Sequence, residues 1–211
     1  MNTSAPIKWV LPVMLAGVLG GCLNTSPVAD NRRFFVIEPG PSSFEQTTVT
    51  DIDHQLGIKP ILVPGYLRDY RIVVRKSNTE IGYSEVVRWG EPISLGLQRV
   101  IRDNLDTALE DVLVAGAPWQ RGDVDFEVSI RFQRCEVDIS GLMVIDAEWL
   151  CSKVDDPTTV VFGQDHIDKQ GPRPSEDPSG AVTTLSEAVH ELSLQIAETV
   201  RACINGAKES P

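Results

Sequence analysis

The side chain best placed to do chemistry in this sequence is a thiol. Cys22 follows Leu19-Gly20-Gly21, and two small residues before a cysteine let an extended strand thread a narrow peptidase cleft. The thiol at such a position can then form a thioether with diacylglycerol. Elsewhere the candidates are weaker. Of the three histidines, His54, His166 and His190, only His166 sits among close acids, in Asp165-His166-Ile167-Asp168. That cluster could ligate a metal, but solvated charge at a strand end is the commoner outcome, and no metal site is expected. Asp155-Asp156 ahead of Pro157 reads as a turn. Cys135, Cys151 and Cys203 lack the Cys-x-x-Cys and paired-His spacing of zinc sites. The sequence carries no Gly-x-Ser-x-Gly elbow, phosphate-cradling glycine loop or His-Glu-x-x-His. The expectation is no catalytic residue and no cofactor.

The residues before Cys22 supply its context. Lys8 is the one charge, and Trp9 to Leu19 is an apolar run containing Pro12. A membrane-spanning helix needs about 20 apolar residues, whereas a signal-peptide core needs about 7–15. Residues 1–21 therefore read as a signal peptide, and Leu19-Gly20-Gly21-Cys22 resembles the lipobox of bacterial lipoproteins. One acyl chain anchors only marginally, at ~0.8 kcal/mol per buried CH₂, and two or three anchor stably. Leu23 rather than Asp follows the cysteine, which in bacteria using that sorting rule directs the protein to the outer membrane. Removing the first 21 of 211 residues leaves 190, and loss of Lys8 moves the net charge from −11 to −12. Such an acidic chain is unsuited to nucleic acid and to lying flat on an anionic bilayer.

Behind these residues the elements follow from periodicity. Residues 22–33 form a polar tether, 34–204 a single domain and 205–211 a disordered tail. Strands are expected at Phe34–Ile37 and at Ile58–Val63, the latter held to an edge or bulge by Pro60. A hairpin is expected over Arg71–Arg75 and Glu80–Val86. Trp89-Gly90-Glu91-Pro92 opens a helix whose apolar stripe runs from Ile93 to Val112. Val124 to Phe132 alternates cleanly with polar residues, and its partner carries Met143, Ile145, Ala147, Trp149 and Cys151 on one face. Thr158 to Ile167 follows as a third strand. A final helix from about Ala181 to Ile204 turns Leu185, Val189, Leu192, Ile196, Val200 and Cys203 inward. The order strands, helix, strands, helix predicts an α+β fold: an antiparallel sheet of about six or seven strands with two long helices on one face.

One irregularity bears on function. The apolar positions of the 124–139 strand are even as far as Phe132 and odd at Val137 and Ile139, while Leu142 and Val144 are apolar opposite Met143 and Ile145. A one-residue shift flips every side chain. Either a bulge lies near Arg134, or the hairpin tip is apolar on both faces and Val137, Ile139, Leu142 and Val144 meet another subunit or partner. Trp89, Trp119 and Trp149 are expected as core or sheet anchors rather than a lipid pocket. Cys151 with Cys203, both inward, is the first choice for a disulfide. Cys135 with Cys151 is the second, being out of register in a hairpin turning at Ser140-Gly141.

Three segments carry a family resemblance. Phe34-Phe35-Val36-Ile37-Glu38-Pro39 resembles the opening strand of the PqiC/YmbA-type transport-auxiliary lipoproteins. Val63-Pro64-Gly65-Tyr66-Leu67 resembles their Pro-x-Tyr-Leu turn, and Val87-Arg88-Trp89-Gly90-Glu91-Pro92-Ile93 their Trp-x-Glu-Pro lead into the first helix. The resemblance spans residues 22 to 204, weakens to pattern in the later half, and does not account for Cys135, Cys151 and Cys203. It implies a non-enzymatic, lipid-anchored subunit on the periplasmic face of the outer membrane. Such subunits self-associate in a ring and dock on the tunnel of an MCE-domain protein in a phospholipid transport system. Tyr66, Leu67, Trp89, Glu91 and Pro92 would then shape the fold. A generic envelope-assembly lipoprotein is the alternative, and a periplasmic hydrolase or metal binder the remoter one.

Overall fold

Strand β6 (Phe126–Asp138) organises the protein, here a computed structural model that describes residues 30–41, 52–120, 122–156 and 158–209. Its alternating apolar residues Phe126, Val128, Ile130 and Phe132 are all buried, as period-two patterning requires. One edge of β6 pairs antiparallel with β7 (Leu142–Lys153), which pairs antiparallel with β8 (Val160–Gln170). The other edge is shared by two parallel neighbours. β2 (His54–Ile58) takes the part around Val128 and β3 (Arg71–Arg75) the part around Val137, with a single Leu62–Arg131 bridge between. β2 also pairs with β5 (Val112–Gly116), β3 with β4 (Ile81–Trp89), and β4 with β1 (Arg33–Phe35).

Helix α1 (Ile93–Ala108) packs against β5, and helix α2 (Pro178–Glu209) against β7, β8 and α1. The inward residues Leu185, Val189, Leu192, Ile196, Val200 and Cys203 of α2 are all buried, each large aliphatic contributing about 1.5–3 kcal/mol relative to exposure. The helices are cross-linked by polar groups. Asn104 Nδ2 donates to Ser193 Oγ at 3.1 Å, while Asn104 Oδ1 accepts from the Gly40 N–H at 2.8 Å. Contacts divide the chain between Asn31 and Arg32, and every strand and helix among the described residues belongs to the second unit.

The fold is α+β in the expected element order. The sheet is larger than expected, with eight strands, and mixed, because β1, β2, β3 and β5 bring in parallel pairings. The second strand ends at Ile58, where it was expected to begin; beyond it Pro60 has no N–H for a ladder and only Leu62 bridges to β6. α1 stops at Ala108, and Val112, expected as the last stripe residue of that helix, opens β5 instead. The last helix continues to Glu209, so the tail expected from residue 205 is helical through that point. The signal peptide, its cleavage motif and Cys22 lie outside the described residues.

Candidate functional site

The hairpin tip resolves to the bulge. Phe132 faces Ala147 and Arg134 faces Asp146, with the register slipping one residue between them. The slip carries Cys135 and Val137 to the apolar side, so one strand can bury even residues before it and odd ones after. Val137 (3 % exposed) is core, and Val144 (6 %) is buried on the opposite face of β7 between Glu136 and Asp168; Leu142 is half-buried, and Ile139 (58 %) is the open one of the four. Gly141 closes the turn with φ +93, and the Asp138 carboxylate accepts from the N–H groups of Ser140 and Leu142.

Ile139 stands on the rim of an apolar cavity of about 270 Å³. The floor is one cross-strand row: Gly82 beside Val74, Val74 beside Val137, Val137 beside Met143. The roof is Pro178, Ala181, Val182 and Leu185, the spacing that puts residues on one helix face. Leu67, Trp89 and Ile93 close the inner end. The space exists because α2 packs closely over β7 and β8 and α1 against β5, while neither packs as closely over β3 and β4. Polar side chains stand at the margin: Lys76, half-exposed, with its stem over Gly82, and the hydroxyls of Ser84 and Ser175.

The resemblance residues brace this end. Glu91 Oε1 accepts from Arg99 Nη2 at 2.8 Å, and the same nitrogen donates to the Ile37 carbonyl at 2.8 Å. This ties the start of α1 to the segment after β1. Pro92 precedes the first turn, its carbonyl accepting from the Leu95 and Gly96 N–H groups. Leu67 and Trp89 are buried. Tyr66 lies in a 3-10 turn, Gly65–Arg68, with its hydroxyl against Glu136 and Arg75. Burial first, then the Glu136 charge, pushes its phenol up to about 12.

Glu136 is the charged centre that the sequence did not reveal. Its side chain is 1 % exposed and is held by the Arg75 guanidinium, with Arg75 Nη2 to Oε2 at 3.1 Å and Arg134 Nε to Oε1 at 3.2 Å. Arg134 and Glu136, two residues apart beyond the slip, lie on the same side of the strand by ordinary alternation.

Cys135, Cys151 and Cys203 are thiols in this structure. Cys151 on β7 and Cys203 on α2 interact, which raises the Cys151 thiol and, with the Val161 N–H, lowers that of Cys203. Cys135 faces Ile145 and Cys151 faces Val128, so Cys135 and Cys151 are far out of register. Burial pushes the Cys135 thiol up to about 12. Trp149 is buried with its Nε1 donating to Thr199 Oγ1 at 2.9 Å, and Trp119 Nε1 donates to the Ile58 carbonyl at 3.3 Å. His166 pairs with Asp146 through Nδ1 and with Asp168 through Nε2 at 3.2 Å, while Asp165 accepts from the His166 backbone N–H. Among the described residues no three His, Cys, Asp or Glu side chains gather as a metal site, and no helix is long and apolar enough to cross a membrane.

Comparison with known proteins gives the lineage. No curated protein matches the chain. Protein XCC0632 from Xanthomonas campestris has a similar structure at TM-score 0.65 and 13 % identity, covering 84 % of this chain and 100 % of that one. A second crystal structure, of an uncharacterized protein, matches at TM-score 0.64 and 18 % identity over 79 % of this chain and 97 % of its own. At these identities the likeness carries the fold alone. The family of ABC-type transport auxiliary lipoprotein components matches residues 35–197, most of the described domain, and the chain belongs to that family.

Proposed function

We propose that the mature chain is a lipid-anchored, non-catalytic auxiliary subunit that docks on the MCE-domain tunnel protein of a phospholipid transport system. The observation that carries the reading is the family match over residues 35–197 directly downstream of Leu19-Gly20-Gly21-Cys22. Acylation at Cys22 supplies a stable anchor, and Leu23 favours the periplasmic face of the outer membrane as its address. The charged clusters of the domain support a structural role for their residues. Glu136 is consumed by two guanidiniums and His166 by two carboxylates, all within the fold.

A ring of copies presented to the tunnel end fits the resemblance, with Ile139 the exposed apolar residue of the hairpin tip. Purification of the tagged chain from membranes in mild detergent tests the reading. The expected co-purifying proteins are an MCE-domain protein with its permease and ATPase. Recovery of outer-membrane assembly factors instead, with no MCE-domain protein, contradicts it.

A further inference from the structure

The docking role leaves the cavity beneath the start of α2 unexplained beyond its rim residue Ile139, and its chemistry selects its occupant. Its floor and roof are hydrocarbon; of its polar lining Lys76 and Ser175 are exposed, Ser84 is half-buried, and the buried Glu136 carboxylate is already held by Arg75 and Arg134. A sugar, nucleotide or peptide would lose hydrogen bonds to water inside such a space without replacement. An alkyl chain has none to lose. Gly82 deepens the floor, because a side chain there would run into the Lys76 stem, whose Cε lies 2.7 Å from the position of an added Cβ.

Lys76 is a cation on a chain of net charge −11. Its ion pair with Glu80, at 3.1 Å, is half-exposed on both sides, and such pairs exchange readily. We infer that the cavity holds one acyl chain of a lipid whose anionic head meets Lys76. The inference stands on the cavity alone and is independent of which protein the subunit docks on.

Fluorescence of cis-parinaric acid tests it, using the mature chain from residue 22 carrying Cys22→Ser so that no detergent is needed. One equivalent should bind saturably and be displaced by saturated fatty acids. Affinity should rise roughly fourfold per added methylene until the cavity is full. Ala181→Phe, which fills the roof, should weaken binding at least tenfold; Lys76→Glu should weaken it several-fold in low salt and less in high salt. Phe162→Ser, at an exposed position on β8 away from the cavity, should leave it unchanged. Displacement by phosphatidylglycerol vesicles identifies membrane phospholipid as the source, and displacement by palmitate alone identifies free fatty acid. Absence of saturable binding, displacement by neither lipid, or a folded Ala181→Phe chain that binds like the parent overturns the inference. Should Ala181→Phe fail to fold, a lack of chain-length dependence, or unaltered binding by Lys76→Glu, overturns it equally.

Discussion

The carboxylate of Glu136 on β6 is clasped by the guanidinium of Arg75 on β3, from a position 61 residues earlier in the chain. β3 and β6 share only a short parallel ladder, Val74 with Val137 and Arg75 with Asp138, so this pair adds much of what fixes their register. Removing one partner of a buried pair leaves the other charge uncompensated. Glu136→Ala is expected to destabilise the domain by about 3 kcal/mol in urea unfolding, and the Tyr66 phenol should titrate lower once the neighbouring negative charge is gone. An unfolding midpoint equal to that of the parent would show the pair to be ornamental.

Cys151 and Cys203 are expected to close into a disulfide when the purified chain is oxidised. Their thiols already touch between β7 and α2, and closing a loop of this length stabilises by about 4 kcal/mol on loop-closure entropy. Peptide mapping after oxidation should find Cys151 joined to Cys203 and Cys135 free. Cys203→Ala should abolish the bridge, and Cys135→Ala should keep it. A Cys135–Cys151 linkage would contradict the register of β6 and β7.

His166 gives the outer face of the sheet a pH dependence. Hydrogen bonds to Asp146 first, and then Asp168, raise its pKa above the usual imidazole value, although the ring is exposed. A raised folded-state pKa means the stabilisation is complete below the unfolded value, near 6.5, and fades as pH rises through the folded one. The parent should therefore lose stability relative to His166→Gln as pH climbs from 6 toward 8. Parallel stability curves for the two chains over that range would refute the assignment.

Gly141 should tolerate no side chain. Its φ of +93 disfavours L-residues, and an added Cβ would collide with the Gly171 carbonyl and lie 2.7 Å from Pro172 backbone atoms. Gly141→Ala is expected to cost about 2 kcal/mol or more in thermal or urea unfolding. A loss of less than about half a kcal/mol would show that the turn can relax.

These elements differ in how plainly the sequence announces them. α2 and the β6–β7 hairpin have long, unbroken periodicities, so their apolar faces and even the one-residue slip near Arg134 could be read in advance. The slip explains why Val137 is core and not an interface, an outcome that one strand's pattern leaves undecided; Val144 is buried on the opposite face of β7, between Glu136 and Asp168. β5 was hidden because Val112 suits both the end of a helical stripe and the start of a short strand. β2 was displaced because Pro60 breaks the ladder in a segment whose apolar residues look continuous. The cavity and the Glu136 cluster were illegible for a different reason. Gly82, Val137 and Ala181 are about a hundred residues apart from end to end, and only the folded topology brings them together. A lone glycine inside a strand pattern, Gly82, was the available hint.

The proposed role requires a modified cysteine ahead of a domain of this family. Mass spectrometry of the amino-terminal peptide, released from wild-type envelopes, tests that most directly. The predicted result is a chain beginning at Cys22 with a diacylglycerol thioether and two or three acyl chains in all, recovered with the membrane. A mature terminus at another residue, or an unmodified Cys22 thiol on a freely soluble chain, would contradict it.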